Sequence, residues 1–158
     1  MTAYMPWSPD RAAELIVERT HLAGACLPIL RALQETFGHV PDAAVTLVAE
    51  ALNLSRAEVH GVVSFYHDFR RAPPGRRVVK LCRAEACQSV GVEALAAALE
   101  RDLGIGFGET TPDGAVTLET VYCLGNCACG PAALVDGELH GRLDAGRVRD
   151  LIAGRVEA

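Results

Sequence analysis

The residues of this 158-residue chain with the clearest capacity for chemistry are its six cysteines, four of which form two spaced pairs. Cys82 and Cys87 form a C-x4-C pair, and Cys123 and Cys127 form a C-x3-C pair. Each pair directly follows a segment whose pattern predicts a β-strand. Strands that run in the same direction bring their ends to the same edge of a sheet. The spacing therefore predicts four thiolates at one edge, which is a ligand set for a metal ion or an iron–sulfur cluster.

Two kinds of centre fit four thiolates. Zinc sites usually use C-x2-C pairs, although four-residue spacers occur. A C-x4-C loop resembles the first spacing of plant-type [2Fe–2S] ferredoxins, where the longer loop wraps a larger object than one ion. A redox dithiol is disfavoured because the chain has no C-x-x-C motif. The spacing favours a cluster, and a zinc-stabilised interaction module without a redox role is the alternative.

The remaining cysteines and the composition limit the function classes. Cys26 lies on an apolar helical stripe and is predicted to be structural, whereas Cys129 lies close enough to Cys127 to compete with it on an extended segment. The net charge of -5 disfavours a nucleic-acid partner. No apolar run is long enough for a membrane span, and residues 1–10 do not have the pattern of a signal peptide. We therefore expect a cytoplasmic protein without direct membrane insertion.

The chain changes character at the breaker Ala72-Pro73-Pro74-Gly75, which predicts a helical N-terminal domain over 1–72 and a second domain over 73–158. The first domain reads as a small bundle of four amphipathic helices, over 9–18, 25–36, from 41 onward and after a capping box at Ser55, with Tyr66 facing inward on the last. The second reads as strand 77–81, helix 92–103, strands 105–109 and 116–121, a hairpin over 132–143 and a final helix capped by Asp144. The fold class is therefore α+β, with a mixed sheet in the second part.

Three stretches together make the sequence similar to a known family. They are F-G-H-V-P at 37–41, V-H-G-V-V-S-F-Y at 59–66, and the two cysteine pairs, the second of which reads C-L-G-N-C. The chain resembles the thioredoxin-like [2Fe–2S] subunit family from about residue 26 to residue 152. That family includes the small flavin-proximal subunit of respiratory complex I, the gamma subunit of soluble NAD-dependent formate dehydrogenases and the equivalent part of NAD-reducing hydrogenases.

The resemblance implies a thioredoxin-like second domain and one [2Fe–2S] cluster. It implies Cys82, Cys87, Cys123 and Cys127 as the ligands, and its C-x3-C second pair favours Cys127 over Cys129. It also implies tight assembly with a flavin- and NAD-binding subunit, with which the protein exchanges single electrons.

Within that family, the short chain and the segment C-A-C-G-P-A-A at 127–133 look most like the formate dehydrogenase gamma subunit. That assignment implies a molybdenum-containing catalytic subunit as a further partner. The equivalent subunit of complex I, or of an NAD-reducing hydrogenase, is the alternative. The sequence has no nucleophile–base pair, paired carboxylates or dinucleotide fingerprint. We therefore predict no catalytic residues in this chain, with substrate and NAD chemistry belonging to other subunits.

The first ten residues carry Tyr4, Met5 and Trp7 without a helical partner in the sequence pattern. Apolar side chains of this size favour a covered surface. The pattern predicts an N-terminal arm that docks on another subunit, and a disordered terminus is the alternative.

Overall fold

A computed structural model describes residues 4–155, which form two compact units, 4–73 and 74–155. Seven α-helices and a mixed five-stranded sheet lie in this described part. The prediction of an α+β fold with a mixed sheet is confirmed. None of the helices within residues 4–155 is long and apolar enough to cross a membrane.

The first unit consists of four helices: α1 (Pro9–Val17), α2 (Cys26–Phe37), α3 (Asp42–Leu52) and α4 (Arg56–Phe65). Local capping explains where they begin and end. The Ser8 side chain accepts a hydrogen bond from the backbone N–H of Arg11, which serves one of the free donors at the start of α1. Gly38 ends α2 in the left-handed conformation, with φ of 78°. Ser55 and Glu58 form both hydrogen bonds of a capping box at the start of α4.

The core of this unit is built mainly from the apolar stripes of the four helices. Its largest fully buried side chains are Ile29, Leu30, Leu33, Phe37, Val40, Val48 and Val59. The prediction that Tyr66 faces inward is wrong. Helix α4 ends at Phe65, and Tyr66 adopts an extended conformation as its C-cap and is exposed. Because the helix has ended before Tyr66, the helical period that predicted a buried position for this residue does not apply to it.

The N-terminal segment packs on its own unit. The backbone N–H of Met5 donates to the carbonyl of Thr36 at 2.9 Å, and the Trp7 ring meets the Phe37 ring edge-on at 4.9 Å between centroids. The Tyr4 ring lies so close to Gly38 that a Cβ there would be 2.8 Å from it. Tyr4 and Trp7 therefore have partners at the end of α2, contrary to the prediction of an arm without one.

The second unit contains β1 (Arg77–Cys82), α5 (Glu85–Ser89), α6 (Val92–Leu103), β2 (Glu109–Thr110), β3 (Val116–Val121), β4 (Ala133–Val135), β5 (Glu138–His140) and α7 (Ala145–Ile152). The strand order is β2-β3-β1-β4-β5. β1 and β3 are parallel, and the other three pairs are antiparallel. The predicted hairpin across Asp136 and Gly137 forms between β4 and β5, although both strands are shorter than predicted.

The pairing register of the two parallel strands fixes the edge from which the cysteine loops depart. Cys82, the last residue of β1, pairs with Val121, the last residue of β3. The sheet is backed by a core that includes Val79 and Leu81 from β1 together with Leu99 from α6. Two loops from neighbouring parallel strands therefore begin side by side on a rigid support.

The segment predicted as a strand over 105–109 is mostly a turn, and only Glu109–Thr110 pairs with β3. Gly108 is left-handed, with φ of 88°, and the Gly106 N–H donates to the Glu109 carboxylate at 2.7 Å. These local bonds occupy groups that a longer strand would need. The short helix α5 within the first cysteine loop has no signature in the sequence, because five residues are too few to show a helical period.

Candidate metal centre

The first cysteine loop is held at the centre of the sheet edge. The backbone N–H of Cys82 donates to the carbonyl of Ala132, and that of Arg83 donates to the carbonyl of Val121, both at 2.9 Å. Cys87 lies in α5, and its own N–H donates to the carbonyl of Ala84. Cys82 and Cys87 are each only 2% exposed and belong to the hydrophobic core of the unit. Core packing therefore fixes the first pair of thiols.

The second cysteine loop is held by backbone conformation. Cys123 has φ of 62° and Gly125 has φ of 76°, so the chain turns sharply twice within the loop. Cys127 then begins a single 3-10 turn, Cys127–Cys129. The Sγ atoms of Cys123 and Cys127 are 4.0 Å apart, and both residues are exposed.

The two pairs influence each other electrostatically. Burial raises the pKa of the Cys82 thiol, but this is outweighed by backbone N–H groups of Ala84, Leu124 and Cys123 and by the Cys87 thiol, so that its pKa is lowered overall. Two of those N–H groups belong to the second loop. Backbone donors aimed at a sulfur favour the thiolate, which is the form that binds metal.

The pKa of the Cys87 thiol is raised by burial first and then by the neighbouring Cys82 and Cys127 thiols, with the N–H of Ala132 acting in the opposite direction. The pKa of Cys127 is raised mainly by Cys123 and, more weakly, by burial and by Cys82. Thiols raise one another's pKa in this way when they share a site, because two thiolates close together repel. These shifts place the Cys87 and Cys127 thiols within electrostatic range of Cys82, and the Cys123 sulfur lies 4.0 Å from the Cys127 sulfur.

The donor set fits an iron–sulfur cluster, because four cysteine thiolates are the usual ligand set of a [2Fe–2S] centre. Cys82 and Cys87 form a pair in contact, and Cys123 and Cys127 form a second pair. Within residues 4–155, no three His, Cys, Asp or Glu side chains lie close enough together to hold a single metal ion.

Cys129 differs from the prediction in its conformation. An extended segment over 127–129, as the sequence predicts, would direct Cys127 and Cys129 to the same side. The structure has a 3-10 turn there, and with three residues per turn, positions two apart lie on different sides.

Cys26 lies in the helical unit, at the start of α2, where it packs against the core of that unit. Burial raises the pKa of its thiol, which disfavours the thiolate. This environment suits the structural role predicted for Cys26.

An ion pair beside the first loop has no counterpart among the sequence-based predictions. The Arg83 guanidinium donates two hydrogen bonds to the Glu93 carboxylate, at 2.6 and 3.1 Å, and its Cζ lies 5.0 Å from the centre of the Phe107 ring. Lys80 pairs with Glu119 at 3.4 Å. Glu93 lies ten residues from Arg83, on α6, so only the packing of that helix reveals the pair.

A family model described as thioredoxin-like [2Fe-2S] ferredoxin matches residues 12–155. The chain belongs to the thioredoxin-like [2Fe–2S] ferredoxin family. Its cofactor is therefore one [2Fe–2S] cluster, and its activity is electron transfer. The resemblance stated from the sequence is confirmed, and so is the thioredoxin-like character of the second unit.

Relatives of this ferredoxin are subunits of larger oxidoreductases. It is 43% identical over 128 residues to an E-type subunit of NADH-quinone oxidoreductase from Rhizobium meliloti, covering 81% of this chain and 76% of the relative. It is 36% identical over 132 residues to the E-type subunit of NADH-quinone oxidoreductase from Pseudomonas aeruginosa, covering 84% and 80%. It is 32% identical over 130 residues to the HndA subunit of the NADP-reducing hydrogenase of Solidesulfovibrio fructosivorans, covering 82% and 76%.

One solved structure of another protein has a backbone similar to that of this ferredoxin. The air-oxidised NAD+-reducing [NiFe]-hydrogenase superposes with a TM-score of 0.68 at 28% sequence identity. The match covers 82% of this chain and only 22% of the hydrogenase chain. The ferredoxin thus spans about a fifth of that longer polypeptide.

Proposed function

We propose that this ferredoxin is the electron-transfer subunit of an NADH-type oxidoreductase and that Cys82, Cys87, Cys123 and Cys127 hold its [2Fe–2S] cluster. The observation that carries the proposal is the meeting of two thiol pairs at one edge of the sheet, with backbone N–H groups of the second loop directed at Cys82. When bound, the cluster supplies one-electron redox chemistry. The chain's own residues hold it, screen one side of it and expose the other.

The parent complex that the relatives favour is NADH-quinone oxidoreductase, with the ferredoxin in the place of the E-type subunit. An NAD- or NADP-reducing hydrogenase is the second candidate, supported by the HndA relative and by the structural match. The prediction of a formate dehydrogenase gamma subunit with a molybdenum-containing partner has less support than these two, because the relatives described above are complex I and hydrogenase subunits. We place the protein in the cytoplasm, in assembly with a flavin- and NAD-binding subunit.

The exposed loop indicates how electrons reach a partner. Cys123 and Cys127 are exposed, whereas Cys82 and Cys87 are buried behind them. Tyr122 is 74% exposed beside Cys123, and such an aromatic surface residue is typical of interface anchors. We therefore place electron exchange with the flavin subunit on the face formed by the second cysteine loop.

Purification of the intact complex from its native host tests the assignment of the parent enzyme. Identification of the co-purifying chains by mass spectrometry should show a flavin- and NAD-binding subunit. Further membrane-embedded subunits would select complex I, a nickel subunit would select a hydrogenase, and a molybdenum subunit would restore the formate dehydrogenase assignment. Recovery of the chain without any flavoprotein would contradict the proposed partnership.

The isolated chain tests the cluster itself. Iron, acid-labile sulfide and zinc are measured per chain together with the visible spectrum. We expect iron and sulfide in equal amounts and visible absorption. A colourless chain that contains zinc would support the interaction module instead.

A further inference from the structure

The residue that follows β5, Gly141, lies directly against the second cysteine loop although it belongs to neither cysteine motif. A Cβ atom at this position would lie 2.7 Å from the Asn126 Nδ2 atom, 2.7 Å from the Cys129 carbonyl oxygen and 2.9 Å from the Cys129 Cβ atom. Real Cβ atoms essentially never approach other heavy atoms this closely. Any side chain at position 141 therefore requires the loop to move.

Backbone hydrogen bonds continue this contact along the chain. The N–H of Arg142 donates to the carbonyl of Cys129 at 2.6 Å, and the N–H of Leu143 donates to the carbonyl of Pro131 at 3.1 Å. The Cys129 oxygen that accepts the first bond is the same atom that a Cβ at position 141 would approach. A methyl group there would press on a hydrogen-bonded backbone atom, which yields less readily than the end of a flexible side chain.

The part of the loop in contact with Gly141 carries Cys127. The N–H of Cys129 donates to the carbonyl of Asn126 at 3.0 Å, and the N–H of Gly130 donates to the carbonyl of Cys127 at 3.3 Å. Cys127 thus lies within a hydrogen-bonded turn, between the two residues that Gly141 touches. Because Cys127 is exposed, core packing does not hold it as it holds Cys82 and Cys87.

We propose that Gly141 is a positioning residue for Cys127: its missing side chain lets the turn of the second cysteine loop settle where the Cys127 sulfur can serve the cluster. This inference rests on the proposed ligand set. It adds a residue of the β5 end to the two loops that bear the ligands. A displaced turn would move the outer thiolate pair while leaving the buried pair in place.

The requirement for glycine at position 141 is one of space and not of backbone conformation, since Gly141 is not among the left-handed glycines. A matched control exists in the same unit. Gly106 is also not left-handed, and a Cβ there would meet its nearest atom, the Glu109 Oε2 atom, at 3.5 Å, an ordinary contact. Gly106→Ala adds the same methyl group far from the ligand loop in the sequence.

The test compares full-length parent chain, Gly141→Ala and Gly106→Ala, each loaded with the cluster. Three properties are measured: the rate of iron release to a chelator, the reduction potential, and the electron paramagnetic resonance spectrum of the reduced cluster. Loss of an outer contact that orients a metal ligand costs about 10- to 100-fold in metal affinity. We expect Gly141→Ala to release iron about 10-fold faster or more, with a shifted potential and an altered spectrum, while Gly106→Ala matches the parent.

A stability control separates positioning from general weakening. Val116→Ala removes buried methyl groups at the end of β3 that is farther from the second cysteine loop. It should lower the unfolding temperature without altering the spectrum of the reduced cluster. The proposal is overturned if Gly141→Ala has the same iron-release rate, reduction potential and spectrum as Gly106→Ala or Val116→Ala. An iron-free Gly141→Ala chain that is already unfolded at 25 °C would also overturn it, because Gly141 would then support the whole unit. A parent chain that binds no iron would contradict the proposed function itself. This outcome is distinct from failure of the Gly141 proposal, in which the parent chain binds iron normally.

Discussion

The two cysteine loops hold their proposed ligands in different ways. The first loop places Cys82 at the end of a central strand and Cys87 in a short helix, and both sulfurs belong to the hydrophobic core. The second loop is exposed and takes its shape from left-handed residues at Cys123 and Gly125. Under the proposed ligand set, this difference implies a division of roles: the buried pair would tie the cluster to the fold, and the exposed pair would present it to a partner.

The largest expected effect comes from removing ligands, and the two loops should differ in what else is lost. Serine at any one of positions 82, 87, 123 or 127 should abolish or severely weaken cluster binding, measured as iron, sulfide and visible absorption per chain. Cys82→Ser and Cys87→Ser should also destabilise the iron-free chain by about 1–3 kcal/mol, because they bury a hydroxyl group. Cys123→Ser and Cys127→Ser should leave the iron-free chain nearly unchanged in urea unfolding, because both positions are exposed.

Cys26→Ala is the control for these substitutions, since Cys26 lies in the helical unit. It should retain the full iron content. Equal stability losses in all four serine variants would remove the distinction between a buried and an exposed pair. Full iron content in the Cys123→Ser variant would contradict the ligand assignment.

A second, smaller effect separates backbone conformation from packing. Gly91 and Gly125 are both left-handed, with φ of 89° and 76°, and a Cβ at either position meets no atom within 4 Å. Alanine at either position therefore costs only the backbone penalty, about 1–2 kcal/mol. Gly91→Ala, at the start of α6, should lower the unfolding temperature and spare the cluster spectrum. Gly125→Ala should alter the reduced spectrum and speed the loss of iron.

This pair of variants is informative because the two substitutions are chemically the same. If Gly91→Ala changed the cluster spectrum as much as Gly125→Ala, the shape of the second loop would have no special role. Unfolding curves measured for both variants show whether they lose the same free energy of unfolding.

Cys129→Ala should have a smaller effect still. Because the 3-10 turn places Cys127 and Cys129 on different sides, removal of the Cys129 thiol should leave iron content unchanged and lower the reduction potential only slightly. A redox titration followed by electron paramagnetic resonance measures both. Loss of the signal in Cys129→Ala together with its retention in Cys127→Ala would make Cys129 the ligand.

The sequence predicts those parts of the fold that depend on local signals. Helix starts are marked by Ser8 and by the Ser55 capping box, and Gly38 marks a helix end. The strand pattern of residues 77–81 predicts β1. Parallel strands that end at one edge bring the starts of the two cysteine loops side by side. The strand pattern and the cysteine spacing together therefore predict a four-thiolate ligand set.

The features that local patterns do not predict depend on contacts between residues far apart in the chain. The close approach of Gly141 to Cys129 and the pairing of Arg83 with Glu93 have no local pattern. The 3-10 turn at Cys127–Cys129 replaces the extended segment that alternation suggested, because carbonyls at 126 and 127 accept bonds from nearby N–H groups. Sequence patterns therefore predict which cysteines are ligands, whereas tertiary contacts decide how each of these cysteines is held.

The smallest expected effect concerns the ion pair that flanks the first loop. Bonding to the Arg83 guanidinium lowers the pKa of Glu93 below its ordinary value in the unfolded chain, about 4.3. A lowered folded-state pKa means that the pair contributes stability above the unfolded-state pKa and that this contribution disappears as the pH falls through the lower folded-state value. Glu93→Gln should therefore unfold at a slightly lower temperature than the parent at pH 7, with the difference shrinking toward pH 3 and in high salt, because the pair is partly exposed. Thermal unfolding of the iron-free chains measures this difference. The control is Glu35→Gln, which removes the exposed pair of Arg31 and Glu35 in the helical unit, remote from both cysteine motifs in the sequence. If the difference in unfolding temperature grows as the pH falls, the direction of the Glu93 pKa shift is contradicted. A cluster spectrum that changes in Glu93→Gln but not in Glu35→Gln would show that the first loop depends on this ion pair as well as on the core.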